Sequence, residues 1–263
     1  MPHVSSLYRY PVKGFTPEQR SELHIQADGR VTGDRVLAFR FAGAADPETQ
    51  DGLDYWPKTR GLALVNFPSL ARLHLQFDDG MLRVRISDGD RLLVEASLDE
   101  DGRRDLEKAM TAFVAASAEA RRLPPEALPL ALVGDGLTSR FQDRPRGFIS
   151  LHGTASVAAV DAVVTASIDD RRFRSNVVVS GTAPWAELGW SGQVRIGEVM
   201  FEVQEPIGRC AAITANPDSG ESDVRLLRVL STRFAQPEPT LGILLLPSRG
   251  AGVIRVGDEV AVG

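Results

Sequence analysis

Short stretches in which apolar and polar residues alternate, separated by turn residues, run through most of this chain. In one of them Leu73, Leu75 and Phe77 alternate with polar positions, and the alternation resumes through Ile86 after the turn-forming residues 78–80. Side chains two residues apart point to the same face of a strand, so this pattern predicts a β-hairpin.

Two segments nearer the C-terminus show the same pattern. The first covers residues 193–203, with Gly197 and Glu198 at the turn, and the second covers residues 254–262. A two-residue turn that contains glycine is a strong hairpin signal. We interpret the two segments as the same local solution, a hairpin formed twice, rather than as a repeated domain.

Helical patterns are confined to a few places. Residues 103–123 are rich in helix formers and end before two prolines, and a shorter helix is expected from Ser156, with Thr154 or Ser156 itself as the N-cap. The long helix and the loop 124–146 form a predicted boundary between two β-rich halves. Many short strands favour barrels over a doubly wound sheet, so we expect a mainly β protein with a few helices, of the α+β class.

The charge balance limits the partners of this protein. The chain of 263 residues has 30 lysines and arginines against 35 acidic residues, a net charge of −5. A general nucleic-acid surface is not expected, since such proteins carry a net basic face, and a bound anion must be met by a local basic pocket. No basic leader and no run of about 20 apolar residues is present, so we expect no membrane segment and a cytoplasmic location.

The chain contains one cysteine, Cys210. A single cysteine excludes an internal disulfide and any zinc or iron–sulfur site built from several cysteines. A lone cysteine among apolar residues is typical of an inert core thiol. However, Arg209 adjoins it, and a neighbouring cation favours the thiolate, the form that binds metal or attacks a substrate. The sequence alone leaves both interpretations open.

Common catalytic motifs do not explain this cysteine. A cysteine phosphatase needs an arginine six positions after the nucleophile, where this chain has Asn216. A thiol hydrolase needs a histidine base; all histidines are distant in sequence, although the fold could bring His152 close. A serine-esterase elbow, a phosphate-binding loop and a dinucleotide fingerprint are also absent.

Three basic residues stand beside strand ends or turns in separate parts of the chain. Lys13 follows a predicted strand that ends in proline, and Arg35 follows the turn residues Gly33 and Asp34. Each is by itself typical of a solvated side chain. Arg174 precedes the β-branched run 177–179, which is expected to be a buried strand. From the mouth of such a strand an arginine can reach into a pocket and clamp a phosphate.

Taken in order, a set of short motifs along nearly the whole chain resembles the MOSC family with its N-terminal β-barrel partner domain. The motifs are YPVKG (10–14), GDR (33–35), TAS (154–156), FRSNVVVSG (173–181), GRC (208–210), NPDSG (216–220) and IRVGD (254–258). This family includes the mitochondrial amidoxime-reducing components and bacterial hydroxylaminopurine-resistance proteins. The resemblance implies two β-barrel-like domains, a MOSC-associated domain over residues 1–120 and a MOSC domain over residues 121–263, with a molybdenum cofactor between them.

The resemblance also assigns site residues. It implies that Cys210 is the metal ligand and the catalytic residue, which is chemically reasonable because molybdenum bound to the dithiolene of its pterin accepts another soft thiolate. Positions that would contact this molybdenum cofactor (Mo-molybdopterin) are Lys13, Gly14, Arg35, Thr154, Arg174, Asn176, Gly208, Arg209 and Cys210. The family also carries a general label of pyridoxal phosphate binding.

The chain departs from the family pattern at four positions. Gly14 stands where the reductases typically have serine, and Ile207 stands where another cysteine is common. Asn216 replaces an aspartate, and Leu244 replaces a tyrosine usually found near the cofactor. These departures concern the substrate and the reductase activity more than the binding of the cofactor.

By this resemblance the protein is an oxidoreductase that reduces small N-hydroxylated compounds. No cysteine remains for an iron–sulfur cluster, so the electrons would come from a separate ferredoxin-, flavodoxin- or cytochrome-type protein with its reductase. The alternative is a non-catalytic carrier of the cofactor, or of sulfur as a persulfide on Cys210. A third possibility is a protein that keeps the fold but has lost the cofactor.

Overall fold

The computed structural model describes all residues, 1–263, as seventeen strands and three α-helices. The strands are β1 (His3–Arg9), β2 (Glu18–Arg20), β3 (Glu22–Ile25), β4 (Ala38–Arg40), β5 (Glu48–Gln50), β6 (Leu53–Tyr55), β7 (Leu73–Asp78), β8 (Arg83–Asp88), β9 (Arg91–Ser97), β10 (Ala131–Val133), β11 (Ile149–Gly153), β12 (Val177–Ser180), β13 (Gln193–Ile196), β14 (Val199–Gly208), β15 (Thr240–Pro247), β16 (Gly252–Arg255) and β17 (Val260–Val262). The helices are α1 (Glu100–Ala116), α2 (Thr154–Asp161) and α3 (Leu226–Arg233). The prediction of a mainly β protein with a few helices is confirmed. None of the helices is both long and apolar enough to cross a bilayer.

The largest sheet joins the two ends of the chain. Its eight strands run in the order β17-β13-β14-β15-β11-β12-β1-β2. Strand β1 pairs antiparallel with β12, and β3 pairs antiparallel with β16. Seventeen buried apolar residues form the core of this region, with Val4 and Leu7 of β1 beside Val177 and Val179 of β12. The first 25 residues therefore help to build the C-terminal half.

A second core of 22 buried residues lies mainly in residues 12–132, around the three-stranded sheet β7-β8-β9 and helix α1. Asp99 caps α1 by accepting a hydrogen bond from the Gly102 amide at 2.8 Å. Leu106, Met110 and Val114 are the buried apolar residues of the helix, spaced at four positions so that they share one face. The predicted domain boundary after residue 120 falls in a 3₁₀ turn that follows this helix, and it stays a prediction.

The local predictions near the termini have different outcomes. The hairpins β7–β8 and β13–β14 form as expected, the latter across Gly197 at φ +55°. The third predicted hairpin, over residues 254–262, is wrong: β16 pairs with β3, and β17 pairs with β13. The N-terminal segment takes the hydrogen bonds that a hairpin would have made, because the amides of Gly257 and Val260 donate to the carbonyls of Val4 and Pro2.

The helix ends also differ from expectation. Helix α1 ends at Ala116 because Ser117 is extended, at φ −76° and ψ 160°. Helix α2 forms close to its predicted start, but Gly153 is its N-cap and no side chain caps it. The hydroxyl of Ser156 instead donates to the buried carboxylate of Glu187 at 2.8 Å. A tertiary acceptor therefore replaces the expected local cap.

Candidate functional site

A cavity of about 290 Å³ lies where the two halves of the chain meet. The residues predicted from sequence that line it are Arg35, Arg174, Asn176, Gly208, Arg209 and Cys210. A smaller adjoining cavity is lined by Lys13 and Gly14 together with Arg35, Arg174 and Cys210. The two spaces share walls, so we call them together the central cavity. The fold thus brings together groups that lie far apart in sequence.

Thr154 lies elsewhere. It begins helix α2 and lines a different cavity, together with Tyr8 and the acidic residues Asp169 and Asp170. Its hydroxyl oxygen is 3.3 Å from that of Ser180. Among the nine predicted site residues, Thr154 is the one that lines neither part of the central cavity.

Cys210 stands between strand β14 and a short 3₁₀ helix, Ala211–Thr214. Its carbonyl accepts a hydrogen bond from the Ile213 amide at 3.2 Å, which fixes the backbone on the C-terminal side of the cysteine. The thiol is free and partly exposed, and it lines both parts of the central cavity. An inert core thiol would be sealed among apolar side chains, and Cys210 is not.

Arg209 is held rigidly beside the cysteine. Its Nε donates to the Leu241 carbonyl at 2.8 Å, and its Nη1 donates to the Phe173 carbonyl at 2.8 Å. Burial lowers the pKa of Arg209 to about 10, and Cys210 acts in the opposite direction. The guanidinium is therefore still protonated at neutral pH, and it places a fixed positive charge next to the thiol.

Two further guanidinium groups share one aromatic ring. The Cζ atoms of Arg174 and Arg35 lie 4.3 Å and 4.9 Å from the centroid of Tyr10, which is fully buried. Arg174 also donates from Nη1 to the Phe15 carbonyl at 2.6 Å, and Arg35 pairs with Asp34. Burial lowers the pKa of Arg174 to about 10, so it too remains charged at neutral pH. Cation–π contacts hold both charges close together.

Lys13 is the fourth cation of the cavity. It is 5% exposed, and its Nζ donates to the Gln142 carbonyl at 2.9 Å and pairs with Asp143 Oδ1 at 2.8 Å. Burial lowers the pKa of Lys13, against the opposing effect of Asp143. Burial acts to raise the pKa of Asp143, but the charge and the hydrogen bond of Lys13, together with the charges of Lys58 and Arg35, hold that pKa well below its usual range. Lys13 and Asp143 thus form an ion pair at the wall of the cavity.

The lining of the central cavity is strongly basic. Besides the cations described above, it includes Lys58, Arg144, Arg146 and Arg172, whereas Asp143 is its one acidic residue. Two of these arginines are neutralised from outside the cavity: Arg172 pairs with Asp223 at 2.7 Å, and Arg144 pairs with Glu205. In a chain of net charge −5, this is the local basic pocket that an anionic ligand requires.

The positions that depart from the family pattern have structural explanations. Gly14 has φ +86°, and a Cβ there would lie 3.1 Å from the Leu62 carbonyl oxygen, so this backbone favours glycine. Ile207 and Leu244 form part of the apolar lining of the cavity. Asn216 does not line it; its Nδ2 donates to Asp223 at 2.7 Å, beside the ion pair of Arg172.

His152 does not act as a base toward Cys210. It is 1% exposed, lines neither part of the central cavity, and lies against Phe173 with 5.8 Å between ring centroids. Burial lowers its pKa to about 3, and the charge of Arg209 adds to the effect. It is therefore a neutral core residue at physiological pH.

Sequence reasoning missed two residues that organise the site. Tyr10 had a signal, since it begins the first of the motifs, but its role as the ring beneath two arginines depends on the packing of Arg35 and Arg174. Asp143 had none, because it lies in an irregular loop and its partner Lys13 is distant in the chain.

The chain is similar to several known proteins, over parts of their lengths. It is 32% identical to mitochondrial amidoxime-reducing component 1 of Mus musculus over 115 residues, which are 40% of this chain and 34% of the relative. It is 36% identical to a molybdenum cofactor sulfurase of Drosophila grimshawi over 92 residues, 35% of this chain and 11% of the relative. A sulfurase of Oryza sativa subsp. japonica is 37% identical over 81 residues, 30% of this chain and 10% of the relative. The chain thus spans about a third or less of each relative.

Among solved structures, the YUAD protein from Bacillus subtilis matches 99% of this chain and 94% of its own, at 13% identity and a TM-score of 0.42. One family model, described as the MOSC N-terminal beta barrel domain, matches residues 1–127, and a second, described as the MOSC domain, matches residues 139–261. The chain therefore belongs to the family of MOSC domain proteins that carry an N-terminal MOSC β-barrel domain.

Proposed function

We propose that this protein binds a molybdenum–pterin cofactor (Mo-molybdopterin) in the central cavity, with the thiolate of Cys210 as the protein ligand to the metal. One observation carries the proposal: the single, accessible thiol of the chain lines the same cavity as three cations from distant segments. Lys13, Arg35 and Arg174 would hold the phosphate of the pterin, and Arg209 would place a positive charge beside the sulfur.

The chemistry of the lining fits this group. Molybdenum bound to a dithiolene is soft and accepts a further thiolate. A phosphate needs donors of positive charge that are already oriented, and Arg174 and Lys13 are fixed by carbonyl acceptors before any ligand binds. The apolar lining by Ile207 and Leu244 would shield the metal end from bulk water.

We further propose that the protein is an oxidoreductase that acts on small N-hydroxylated compounds. When bound, the cofactor supplies two-electron reduction that removes the oxygen. The protein holds the cofactor by its cations and orients the substrate against the metal end of the cavity. The electrons would come from a ferredoxin-, flavodoxin- or cytochrome-type donor outside these 263 residues, because Cys210 leaves no cysteine among them for an iron–sulfur cluster. The name of the Mus musculus relative supports this reaction class.

A carrier function is the second candidate. The relatives named molybdenum cofactor sulfurase and the accessible thiol of Cys210 favour it. In this role Cys210 would hold sulfur as a persulfide, or the whole protein would store the cofactor without turnover.

The metal content of the protein tests the binding of the cofactor, which the oxidoreductase and a carrier that stores the cofactor have in common. The protein and its Cys210→Ser variant are purified from cells that make the cofactor, and molybdenum and released pterin are measured. We expect roughly one metal per parent chain and a large loss of metal in the variant, because a hydroxyl is a poor ligand for a soft metal. Parent protein without molybdenum would contradict the proposal.

Turnover separates the enzyme from the carrier. The metal-loaded protein is assayed for benzamidoxime reduction with reduced methyl viologen, which removes the need for a donor protein. Reduction that is lost in Cys210→Ser supports the oxidoreductase. No turnover, together with thiocyanate released from the parent by cyanide, would favour a persulfide carrier instead.

A further inference from the structure

A second cavity adjoins the central cavity at Arg144, Arg146 and Phe148, and we call this end of the central cavity its outer end. This outer cavity has a volume of about 870 Å³ and is lined by the hairpin residues Gln50, Asp51 and Leu53 on one side. Arg144, Arg146 and Phe148 line both the outer and the central cavity. These three side chains therefore form the common border of the two spaces.

The segment that carries them is supported from behind. Arg30 donates from Nη2 to the Pro145 carbonyl at 3.1 Å, and Asp28 holds the same guanidinium. The side chain of Arg30 packs so closely on Gly147 that a Cβ there would lie 2.3 Å from the Arg30 Cγ. Glycine is therefore needed at 147, and the segment lies firmly on Arg30 while its alternate side chains face the central cavity.

The charges at this junction are unequal. Arg144 is neutralised by Glu205, and its Cζ atom lies 5.8 Å from the ring centroid of Phe148. Arg146 is exposed and has neither an ion pair nor a hydrogen bond from its side chain, so one positive charge at the junction is uncompensated. Two acids line the outer cavity: Asp28, which is paired with Arg30, and Asp51, which lies on the opposite hairpin.

We infer that Arg144, Arg146 and Phe148 form a substrate subsite selective for planar N-hydroxylated compounds that carry a negatively charged group, a carboxylate or a phosphate. The ring of the substrate packs on Phe148 and on the exposed apolar side chain of Leu53, while Arg146 binds the anion. This inference rests on the proposed function, and it adds a class of substrate to it. The cations at the inner end remain available for the cofactor.

The experiment compares two ligands that differ by one charge. Kinetics with reduced methyl viologen are measured for benzamidoxime and 4-carboxybenzamidoxime, and calorimetry measures the binding of each to the oxidised, metal-loaded protein. We expect the parent to bind the carboxylated compound about tenfold more tightly, the effect of one partly exposed charge-assisted hydrogen bond. In Arg146→Ala this preference should disappear, and in Arg146→Lys it should return in part.

Arg249→Ala is the matched control, since Arg249 is also exposed, has no ion pair and lines neither cavity. It should keep the preference. A second pair of ligands, hydroxylaminopurine as the free base and as its ribonucleoside monophosphate, distinguishes a phosphate from a carboxylate as the preferred anion.

The outcomes separate this inference from the proposed function. Turnover of both compounds without a preference for the charged one, or a preference that survives in Arg146→Ala, would overturn the subsite and leave the reductase intact. A charge preference in binding with no turnover of either compound would overturn the reductase and leave the anion subsite standing.

Discussion

The two ends of the central cavity hold positive charge in opposite ways. At the inner end Lys13 is buried, Arg174 is packed on Tyr10, and each donates to a carbonyl of the protein. At the outer end Arg146 is exposed and has no partner. Charges fixed in advance suit one ligand of constant shape, because little ordering remains when it binds. A free side chain adapts to ligands of different shape.

This difference favours a permanently bound cofactor at the inner end and exchanging substrates at the outer end. The position of Cys210 supports this assignment, because Cys210 lines both parts of the central cavity and does not line the outer cavity. The predictions that follow test whether the inner end is as rigid as this comparison requires.

The largest effect is expected from Tyr10→Ala. This ring is fully buried and supports both Arg35 and Arg174, so its removal should cost about 3–5 kcal/mol of unfolding free energy and release the two cations. Tyr10→Phe keeps the ring and loses only the hydrogen bond to the Ser175 carbonyl, at a cost of about 1 kcal/mol. Urea denaturation measures both, and equal costs would show that the ring is not the support.

The second-largest effect is expected on cofactor retention, and it compares the two ends of the cavity directly. Arg174→Ala should lower the retention of molybdenum and pterin about tenfold or more, since a fixed charge-assisted contact is worth roughly 1.5–3 kcal/mol. Arg146→Ala should retain both. Metal and pterin content after extensive dialysis is the measurement. If the two variants lost cofactor equally, the division into a cofactor end and a substrate end would be wrong.

A smaller effect is expected at two glycines that line the central cavity. Gly14→Ser places a side chain at φ +86° close to the Leu62 carbonyl, and should destabilise the fold by about 1–2 kcal/mol. Gly208→Ser has ordinary φ and open space around its Cβ, so we expect less than about 0.5 kcal/mol. Thermal unfolding of both variants is sufficient to check this. A Gly14→Ser variant as stable as the parent would show that the loop relaxes.

The smallest effect concerns pH. The pKa of Asp143 in the folded protein lies below its unfolded value of about 3.9. The ion pair with Lys13 therefore contributes fully to the free energy of unfolding above about pH 4, and it contributes less as the pH falls toward the folded-state pKa. Asp143→Asn should therefore lose less stability than the parent between pH 5 and pH 3 in urea denaturation. Asp54→Asn, at an exposed acid without an ion pair, should follow the parent. Parallel curves for all three proteins would exclude a contribution of this pair.

Much of the local structure could be predicted because it depends on neighbours in sequence. The period of two in β7, β8, β13 and β14 and the glycine at 197 are sufficient for two hairpins. The same reasoning failed at residues 254–262, where the amides bond to residues 2–4 from the other end of the chain. A local alternation of apolar and polar residues carries no information about a partner strand so distant in sequence.

Some residues of the candidate site could be predicted from the sequence, and others could not. The motifs named Cys210 and the cations Lys13, Arg35 and Arg174, and the fold brings these four together. The motifs also named Thr154, which the fold places in another cavity, and they did not indicate Asp143 or Arg146. Short motifs identify residue types at fixed spacing, but which side chains face one cavity depends on how separate segments pack.

The sequence by itself determined that sulfur chemistry here belongs to one residue, that any anion needs a local basic pocket, and that short strands dominate. These properties follow from composition and from patterns a few residues long. Only the tertiary structure decided that β1 joins the C-terminal sheet, that Tyr10 carries two arginines, and that Arg146 remains unpaired at the outer end. Each of those depends on contacts between residues far apart in the chain, which packing fixes and local propensity does not.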